Sequence, residues 1–203
     1  MTRVPVPSNP LLADWVARAF DRERKIVRAL AELGPIADRD VVLAGAVPPW
    51  LVAELRGAGA RIVEASTSAS PDPGSADVVL GAWSAFRGEE DAEIADALAL
   101  LRRHGRLLVI HDYGRDEIER LVGDRPESST WSRRGGPFTD AGFKIRVVHC
   151  WWTFDSIEDT ARFLHDAFGD AATVRAATEL AAGLRRPRLS HNVAIYHRDA
   201  APA

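Results

Sequence analysis

The sequence predicts a three-layer α/β fold, in which helices cover both faces of a mostly parallel sheet of about six strands. Two features of the chain indicate this fold. Residues 40–64 have the succession strand, turn, helix and strand, and short apolar runs alternate with segments of helical periodicity along the rest of the 203 residues. Because strand–helix–strand crossovers are right-handed, such a chain brings the carboxyl ends of its parallel strands to one edge of the sheet.

This early segment organises the predicted sheet. The apolar run Val41–Leu43 predicts a strand that ends at Gly45, and the two prolines after this turn suit the start of a helix, where a missing N–H costs little. Arg61–Val63 predicts a second strand, and the acidic Glu64 follows it. The spacing is similar to that of a nucleotide-binding βαβ unit, in which an acid about 20 residues after the turn binds a ribose hydroxyl.

The remaining elements follow from the same patterns, and the turn-rich segments 65–76 and 123–137 are expected to be loops. Apolar runs predict four further strands, at Asp77–Gly81, Arg106–Ile110, Lys144–Trp152 and Arg188–His197. Apolar residues at helical spacing predict helices over Ser8–Leu33, Glu89–Arg103, Asp116–Val122, from Asp155 or Ser156 onward, and over Asp170–Leu184. The first helix is expected to cover one face of the sheet, with a lid over a ligand as the alternative.

The composition fits a single domain with a sizeable hydrophobic core. Hydrophobic residues make up 46% of the chain and charged residues 27%. We expect residues 1–34 to form an N-terminal helical cover, residues 36–155 the α/β core, and residues 156–203 the closing helices and the last strand.

Charge and cysteine content argue against several classes of protein. A net charge of −3 and a pI near 6.1 argue against a general nucleic-acid binder. The single cysteine, Cys150, cannot form an internal disulfide, which predicts a reducing cytoplasm and a buried, inert thiol. The chain shows no apolar leader and no segment long enough to span a bilayer, so we expect no membrane partner. Its histidines and acids lack metal-ligand spacing, so we also expect no metal.

Four polar or aromatic segments are expected to meet at the carboxyl edge of the sheet. They are Gly45–Val47, Glu64, Trp83 with Ser84, and His111–Tyr113. Ligands of open α/β sheets bind at this edge, so the sequence predicts a ligand site there.

Three stretches of the chain, taken in order, resemble a known family. They are Asp77-Val-Val-Leu-Gly-Ala-Trp83, Leu100-Leu-Arg-Arg-His-Gly-Arg-Leu-Leu-Val-Ile110 and Ala141-Gly-Phe-Lys-Ile-Arg-Val-Val148. They are similar to the fourth strand, the following helix with the fifth strand, and the sixth strand of class I S-adenosylmethionine-dependent methyltransferases. The resemblance covers about residues 36–155 and the final strand Asn192–His197. It implies a Rossmann-like fold of the methyltransferase type, with S-adenosylmethionine as the cofactor.

The first loop and the next crossover depart from the family pattern, which has an acidic residue followed by Gly-x-Gly-x-Gly. Leu43 stands at the acidic position, Gly45 matches the first glycine, and Val47 and Pro49 replace the other two. Valine adds bulk, and proline fixes φ and removes an N–H donor. Only residues 65–76 separate the second strand from the next one, too few for a parallel crossover, so the family's third strand is expected to be missing.

The resemblance implies a set of cofactor-binding residues. Gly45, Ala46 and Val47 would lie against the cofactor, Glu64 would hold its ribose hydroxyls, and the ring of Trp83 could stack on it. A plainer role is open for each of them: an ordinary turn after the first strand, a solvent-exposed acid at Glu64, and core packing at Trp83.

His111, Asp112 and Tyr113 are the candidate catalytic residues. Histidine titrates near neutrality and can accept a proton from a methyl acceptor, so His111 is a candidate general base. Asp112 and Tyr113 are candidate substrate binders. The alternative is that neighbouring side chains point in different directions and that Asp112 caps the following turn.

Two functions remain open at this point. The first is transfer of a methyl group from S-adenosylmethionine to a small-molecule acceptor, which Glu64 and the polar, aromatic sheet edge favour. The second is a non-catalytic relative that keeps the sheet and acts as a binding module or partner subunit, which Val47, the prolines and the missing strand favour. An exposed apolar edge on the shortened sheet would favour a homodimer.

Overall fold

The computed structural model describes residues 6–63, 72–87, 90–122, 131, 135–181 and 187–200. Within them, six strands form one sheet: β1 (Asp40–Ala44), β2 (Arg61–Val63), β3 (Ala76–Ala82), β4 (Leu101–Asp112), β5 (Lys144–Thr153) and β6 (Arg188–Asp199). Their spatial order is β2-β1-β3-β4-β6-β5. Strands β2, β1, β3 and β4 are parallel, whereas β6 is antiparallel to both β4 and β5. The prediction of a mostly parallel sheet of about six strands is confirmed.

Helices flank both faces of this sheet. The α-helices with described bounds are α1 (Ala13–Ala19), α2 (Lys25–Leu33), α3 (Pro49–Gly57), α4 (Glu90–Leu100), α5 (Glu117–Val122), α6 (Pro137–Asp140), α7 (Ile157–Phe168) and α8 (Asp170–Ala181). Two 3-10 helices, Val6–Ser8 and Pro10–Leu12, precede α1. Of the two predicted starts of α7, Asp155 and Ser156, the structure selects Ser156 as the cap, because its Oγ accepts the backbone N–H of Asp159 at 3.0 Å. No helix in the described part of the chain has the length and apolarity needed to cross a membrane.

The two faces of the sheet carry separate hydrophobic cores because side chains alternate along each strand. One core contains Leu80 and Leu108 and is covered by α1, α2, α3, α5, α7 and α8; we call this side the α3 face. The other contains Val79 and Val109 and is covered by α4, α6 and Trp131; we call it the α4 face.

The predicted single helix over Ser8–Leu33 is wrong, because the chain breaks at Phe20 and starts again as α2. Asp21 has a φ of 43°, and its carboxylate accepts the backbone N–H groups of Lys25 at 3.0 Å and Ile26 at 2.8 Å. These are unpaired donors of the first turn of α2, so Asp21 acts as a cap. The Asp21 N–H in turn donates to a carbonyl of β5 at 3.0 Å, which ties this break to the sheet.

Strand β4 begins earlier than predicted because it contains a bulge. Ala76 of β3 is paired with Leu101, whereas Val78 is paired with Arg106, so β4 has extra residues between these two pairs. A Cβ on Gly105 would lie 2.9 and 3.0 Å from two backbone carbonyl oxygens. Glycine therefore permits the bulge to close, and α4 ends before it.

Candidate functional site

The ends of β1 and β3 meet at the carboxyl edge of the sheet. The Oγ of Ser84, just after β3, donates to the carbonyl oxygen of Ala46, just after β1, at 2.7 Å. Gly45 has a φ of 69°, and a Cβ there would lie 3.2 Å from the Ser84 Oγ and 3.3 Å from the Cβ of Ala85. Glycine suits this position because it adopts positive φ readily and lets the two loops approach each other.

A chain of side-chain hydrogen bonds continues this edge on the α3 face. The indole N–H of Trp83 donates to Asp112 Oδ1 at 2.8 Å, and His191 Nε2 contacts the same oxygen at 3.0 Å. The indole N–H of Trp152 donates to His191 Nδ1 at 3.0 Å. Because an indole nitrogen only donates, Nδ1 must accept, and the ring proton of a neutral His191 lies on Nε2 and is donated to Asp112. We call these four residues the indole–imidazole network.

His111 lies on the opposite face from Asp112, its neighbour in β4. Its ring is buried against Trp131 and Phe138, with ring centroids 4.2 and 5.8 Å away. Burial lowers the pKa of His111 from 6.5 to about 3, with Arg87 acting in the same direction and Asp112 opposing it. The imidazole is therefore neutral at pH 7. Its Nε2 has no hydrogen-bond partner within the described residues.

Tyr113 turns to the α4 face with His111. It is half-buried, its N–H donates to the Asn192 carbonyl at 2.9 Å, and the guanidinium of Arg115 lies 5.5 Å from its ring centroid. The alternative in which neighbouring side chains point in different directions thus describes this segment. The first turn of α5 is capped by Asp116, whose Oδ1 accepts the N–H of Glu119 at 2.9 Å.

A cavity of about 360 Å³ opens on the α4 face where β1 and β3 end. Its floor is apolar, and its wall includes the turn at Gly45 and the segment 84–86. Among the described residues that line it, only Glu93 and Asp96 of α4 carry charge. The full lining is Val42, Leu43, Ala44, Gly45, Val79, Ser84, Ala85, Phe86, Glu93, Asp96, Ala97 and Leu100.

The segment after β3 also joins this cavity to the surroundings of His111. Phe86 lines the cavity, and the next residue, Arg87, lies with its guanidinium carbon 5.6 Å from the ring centroid of Trp131, which packs on His111. The cavity and the His111–Tyr113 pair therefore share the α4 face.

The predicted cofactor residues divide into three groups. Gly45 lines the cavity, and the Ala46 carbonyl fixes the loop beside it. Val47 packs instead against the core of the α3 face, and the fully buried Trp83 packs 6.1 Å from the ring of Trp50, which favours its packing role. Glu64 lies outside the described residues.

Sequence reasoning did not identify several residues that the structure brings to this edge. His191 lies in the last strand, and only the pairing of β6 between β4 and β5 places it beside Asp112. Glu93 and Asp96 have the i, i+3 spacing of an ordinary solvent-facing helix side, so no local pattern distinguishes them. Cys150, as predicted, is buried, and burial raises the pKa of its thiol.

Among solved structures, the chain is similar to a protein provisionally named a type II methyltransferase from Anaeromyxobacter dehalogenans. The two are 16% identical over 88% of this chain and 96% of that one, with a TM-score of 0.57. A protein provisionally named a methyltransferase of an antibiotic biosynthesis pathway, from Anabaena variabilis, is 11% identical over 85% of this chain and 96% of that one, with a TM-score of 0.51. The chain has the class I methyltransferase fold.

At these identities the likeness establishes the fold alone, since one fold supports many functions. No protein-family model matches the chain, and no curated protein matches it significantly.

Replacement of His111 by Phe should reduce the loss in free energy of unfolding that the protein shows when the pH falls below 7. The pKa of His111 is 6.5 in the unfolded chain and about 3 in the folded chain, so the unfolded chain takes up a proton at a higher pH than the folded chain does. Stability is therefore lost as the pH falls through this window, by about 2 kcal/mol between pH 7 and pH 5. Urea unfolding at both pH values should show a smaller loss for His111→Phe than for the parent. Equal losses in the two proteins would contradict the burial of a neutral His111.

Replacement of Trp83 by Phe should destabilise the protein by about 1–3 kcal/mol, because Asp112 loses one of its donors while shielded from water. Trp15→Phe is the matched control, since its indole N–H also donates to a carboxylate, Asp166, at 2.9 Å. The Asp166 side chain is 40% exposed and that of Asp112 is 13% exposed, so water can replace the lost donor only at Asp166. Urea unfolding should give the larger loss for Trp83→Phe; equal losses would count against the network.

Proposed function

We propose that this protein binds S-adenosylmethionine in the cavity beside Gly45 and transfers its methyl group to a small-molecule acceptor. The observation that supports the proposal most is the cavity itself. It lies at the carboxyl ends of β1 and β3, where open α/β sheets bind ligands, and its volume of about 360 Å³ falls within the range of small-molecule sites.

The charges around the cavity favour this cofactor over phosphate-bearing ones. S-adenosylmethionine carries a positively charged sulfur, an ammonium group and ribose hydroxyls, all of which a carboxylate attracts or accepts hydrogen bonds from. Glu93 and Asp96 supply two carboxylates at the mouth of the cavity, and no basic residue is among the described residues that line it. A dinucleotide would bring negatively charged phosphates to the same place, where these acids repel them.

Several of the predicted site residues have a proposed part in this reaction. Gly45 and the carbonyl of Ala46 shape the wall for the cofactor, and Glu64 remains the proposed ligand of its ribose. When bound, S-adenosylmethionine supplies a methyl group on an electrophilic sulfur. The chain then has to orient the acceptor and exclude water, because orientation alone lowers the barrier of such a transfer.

The acceptor side of the proposal involves His111 and Tyr113. Both lie on the α4 face with the cavity, and the neutral His111 suits a hydrogen bond to the acceptor better than removal of its proton, since a base with a pKa of about 3 is weak at pH 7. Asp112, on the other face, is proposed to act by positioning, since it holds Trp83 and with it the segment that walls the cavity.

A second candidate function is a non-catalytic binding module of the same fold. The burial of His111 favours it, because a group enclosed by Trp131 and Phe138 cannot meet an acceptor without movement of those rings.

Isothermal titration with S-adenosylmethionine and with S-adenosylhomocysteine tests the cofactor. We expect micromolar dissociation constants, and at least tenfold weaker binding for Gly45→Ala, which is about 1.4 kcal/mol. The matched control is Gly74→Ala. Gly74 also has a positive φ, of 70°, but a Cβ there meets nothing within 4 Å, so this variant should bind like the parent. Millimolar or absent binding by the parent would reject the cofactor. Binding without release of S-adenosylhomocysteine in the presence of any acceptor tried would favour the binding module.

The pair of substitutions Glu93→Gln and Asp96→Asn should weaken S-adenosylmethionine binding several-fold, because the attraction of the cation is lost. S-adenosylhomocysteine has no charge on its sulfur, so its affinity should fall less. Asp91→Asn, on the exposed first turn of the same helix and outside the cavity lining, is the control for a general loss of negative charge. Unchanged titration curves for the double variant would show that these α4 carboxylates do not take part in cofactor binding.

A further inference from the structure

Strand β5 lies at one edge of the sheet, and part of its outer side has no backbone partner among the described residues. The N–H of Asp21 donates to the carbonyl oxygen of Trp151 at 3.0 Å, so the backbone groups of odd-numbered residues of β5 point away from β6. Because this direction alternates along a strand, the N–H and C=O groups of Ile145 and Val147 also point outward. Within the described residues, no backbone group pairs with them.

A groove of about 390 Å³ runs beside this edge, between β5 and α2. Its helical wall consists of residues at i, i+3, i+4 and i+7, on one side of α2, and its other wall is the stretch 146–149 of β5. Three cations and one acid line it. They are Lys25, Arg28 and Arg146 on the positive side, and Glu32, which forms an ion pair with Arg146 at 3.0 Å. Lys25 Nζ in turn lies 3.2 Å from a carboxylate oxygen of Glu23 and donates to the His149 carbonyl oxygen at 3.1 Å. The three cations exceed the two acids by one, so the groove keeps a positive charge, with Arg28 outside both ion pairs.

We propose that this groove binds an extended acidic segment of a partner protein, which adds as a further strand to β5. The outward backbone groups of Ile145 and Val147 would supply the main-chain pairing of β-strand addition. Alternate side chains of the added strand would lie on the α3 face, beside Lys25, Arg28 and Arg146, where acidic residues are favoured. The groove shares no lining residue with the cavity beside Gly45, so this proposal does not depend on the proposed cofactor.

The charge of the edge argues against a second copy of this chain as the occupant. Two copies paired antiparallel across the unpaired stretch, with Ile145 of one opposite Val147 of the other, would set their two Arg146 side chains directly opposite each other, and like charges on directly opposed strand residues are destabilising. Basic residues also protect bare edges from such self-pairing. An acidic strand meets the opposite situation, because its carboxylates would lie next to Lys144 and Arg146 across the pair.

A fluorescein-labelled, end-capped peptide of four Glu-Val repeats is the probe, read by fluorescence anisotropy with the full chain. We expect saturable binding that weakens at least tenfold in Arg28→Glu/Arg146→Glu. Arg162→Glu, an exposed change on α7, should leave it unaltered. The corresponding Lys-Val peptide should not bind. Equal binding of the two peptides, or no binding of either, would overturn the proposal.

Backbone pairing is tested separately, because charge alone could attract the peptide. Val147→Pro removes an outward N–H without touching the ladder to β6, and should weaken binding at least tenfold, whereas Val147→Ala keeps the donor and should bind like the parent. If Val147→Pro fails to fold, a Glu-Val peptide N-methylated at alternate residues tests the same bonds from the other side. Full affinity of the proline variant, or of the peptide in both methylated registers, would overturn strand addition.

Self-association is a further outcome that would overturn the proposal. Analytical ultracentrifugation of the parent should show a monomer at the concentrations used for the titration. A dimer that Val147→Pro converts to monomer would assign this edge to a second copy instead.

Discussion

The carboxyl edge of the sheet depends on a largely shielded carboxylate, Asp112, whose oxygens need hydrogen-bond donors. Asp112 receives the indole N–H of Trp83 and the Nε2–H of His191, which is itself fixed by Trp152. A carboxylate so shielded from water is costly unless its oxygens accept hydrogen bonds, so the four side chains hold one another in a single arrangement. They come from β5, β6, β4 and the residue after β3, and the network therefore fixes the relative positions of four segments that are far apart in sequence.

The arrangement separates the tasks of the two sheet faces. On the α3 face the network anchors Trp83, which has a φ of 53° and is fully buried. The segment after it then crosses to the α4 face, where Phe86 packs over Gly81 so closely that a Cβ on this glycine would lie 2.5 Å from the ring. This segment forms the wall of the cavity and leads to Arg87 and Trp131. The hydrogen-bond network thus lies on the α3 face, and the cavity and His111, on which the proposed function depends, lie on the α4 face.

The sequence predicted most of the architecture, because local periodicity and turn residues largely determine it. It also placed Gly45 and Ser84 at one edge, where the structure brings their loops into contact. It failed at Phe20–Arg24, where the helical pattern is continuous but Asp21 caps a new helix and pairs with β5. It could not anticipate the orientation of His111, because a candidate base and a buried core residue have the same sequence signature.

What the sequence by itself determined is the succession of strands and helices, and with it the class I methyltransferase fold, since apolar periodicity and breakers act over short distances along the chain. Only the tertiary structure decided which side chains meet. The antiparallel insertion of β6 between β4 and β5 set His191 beside Asp112, and α4 set Glu93 and Asp96 at the cavity mouth. Those contacts join residues many positions apart, and hydrogen bonding, burial and charge act between them only after the sheet has brought them within reach.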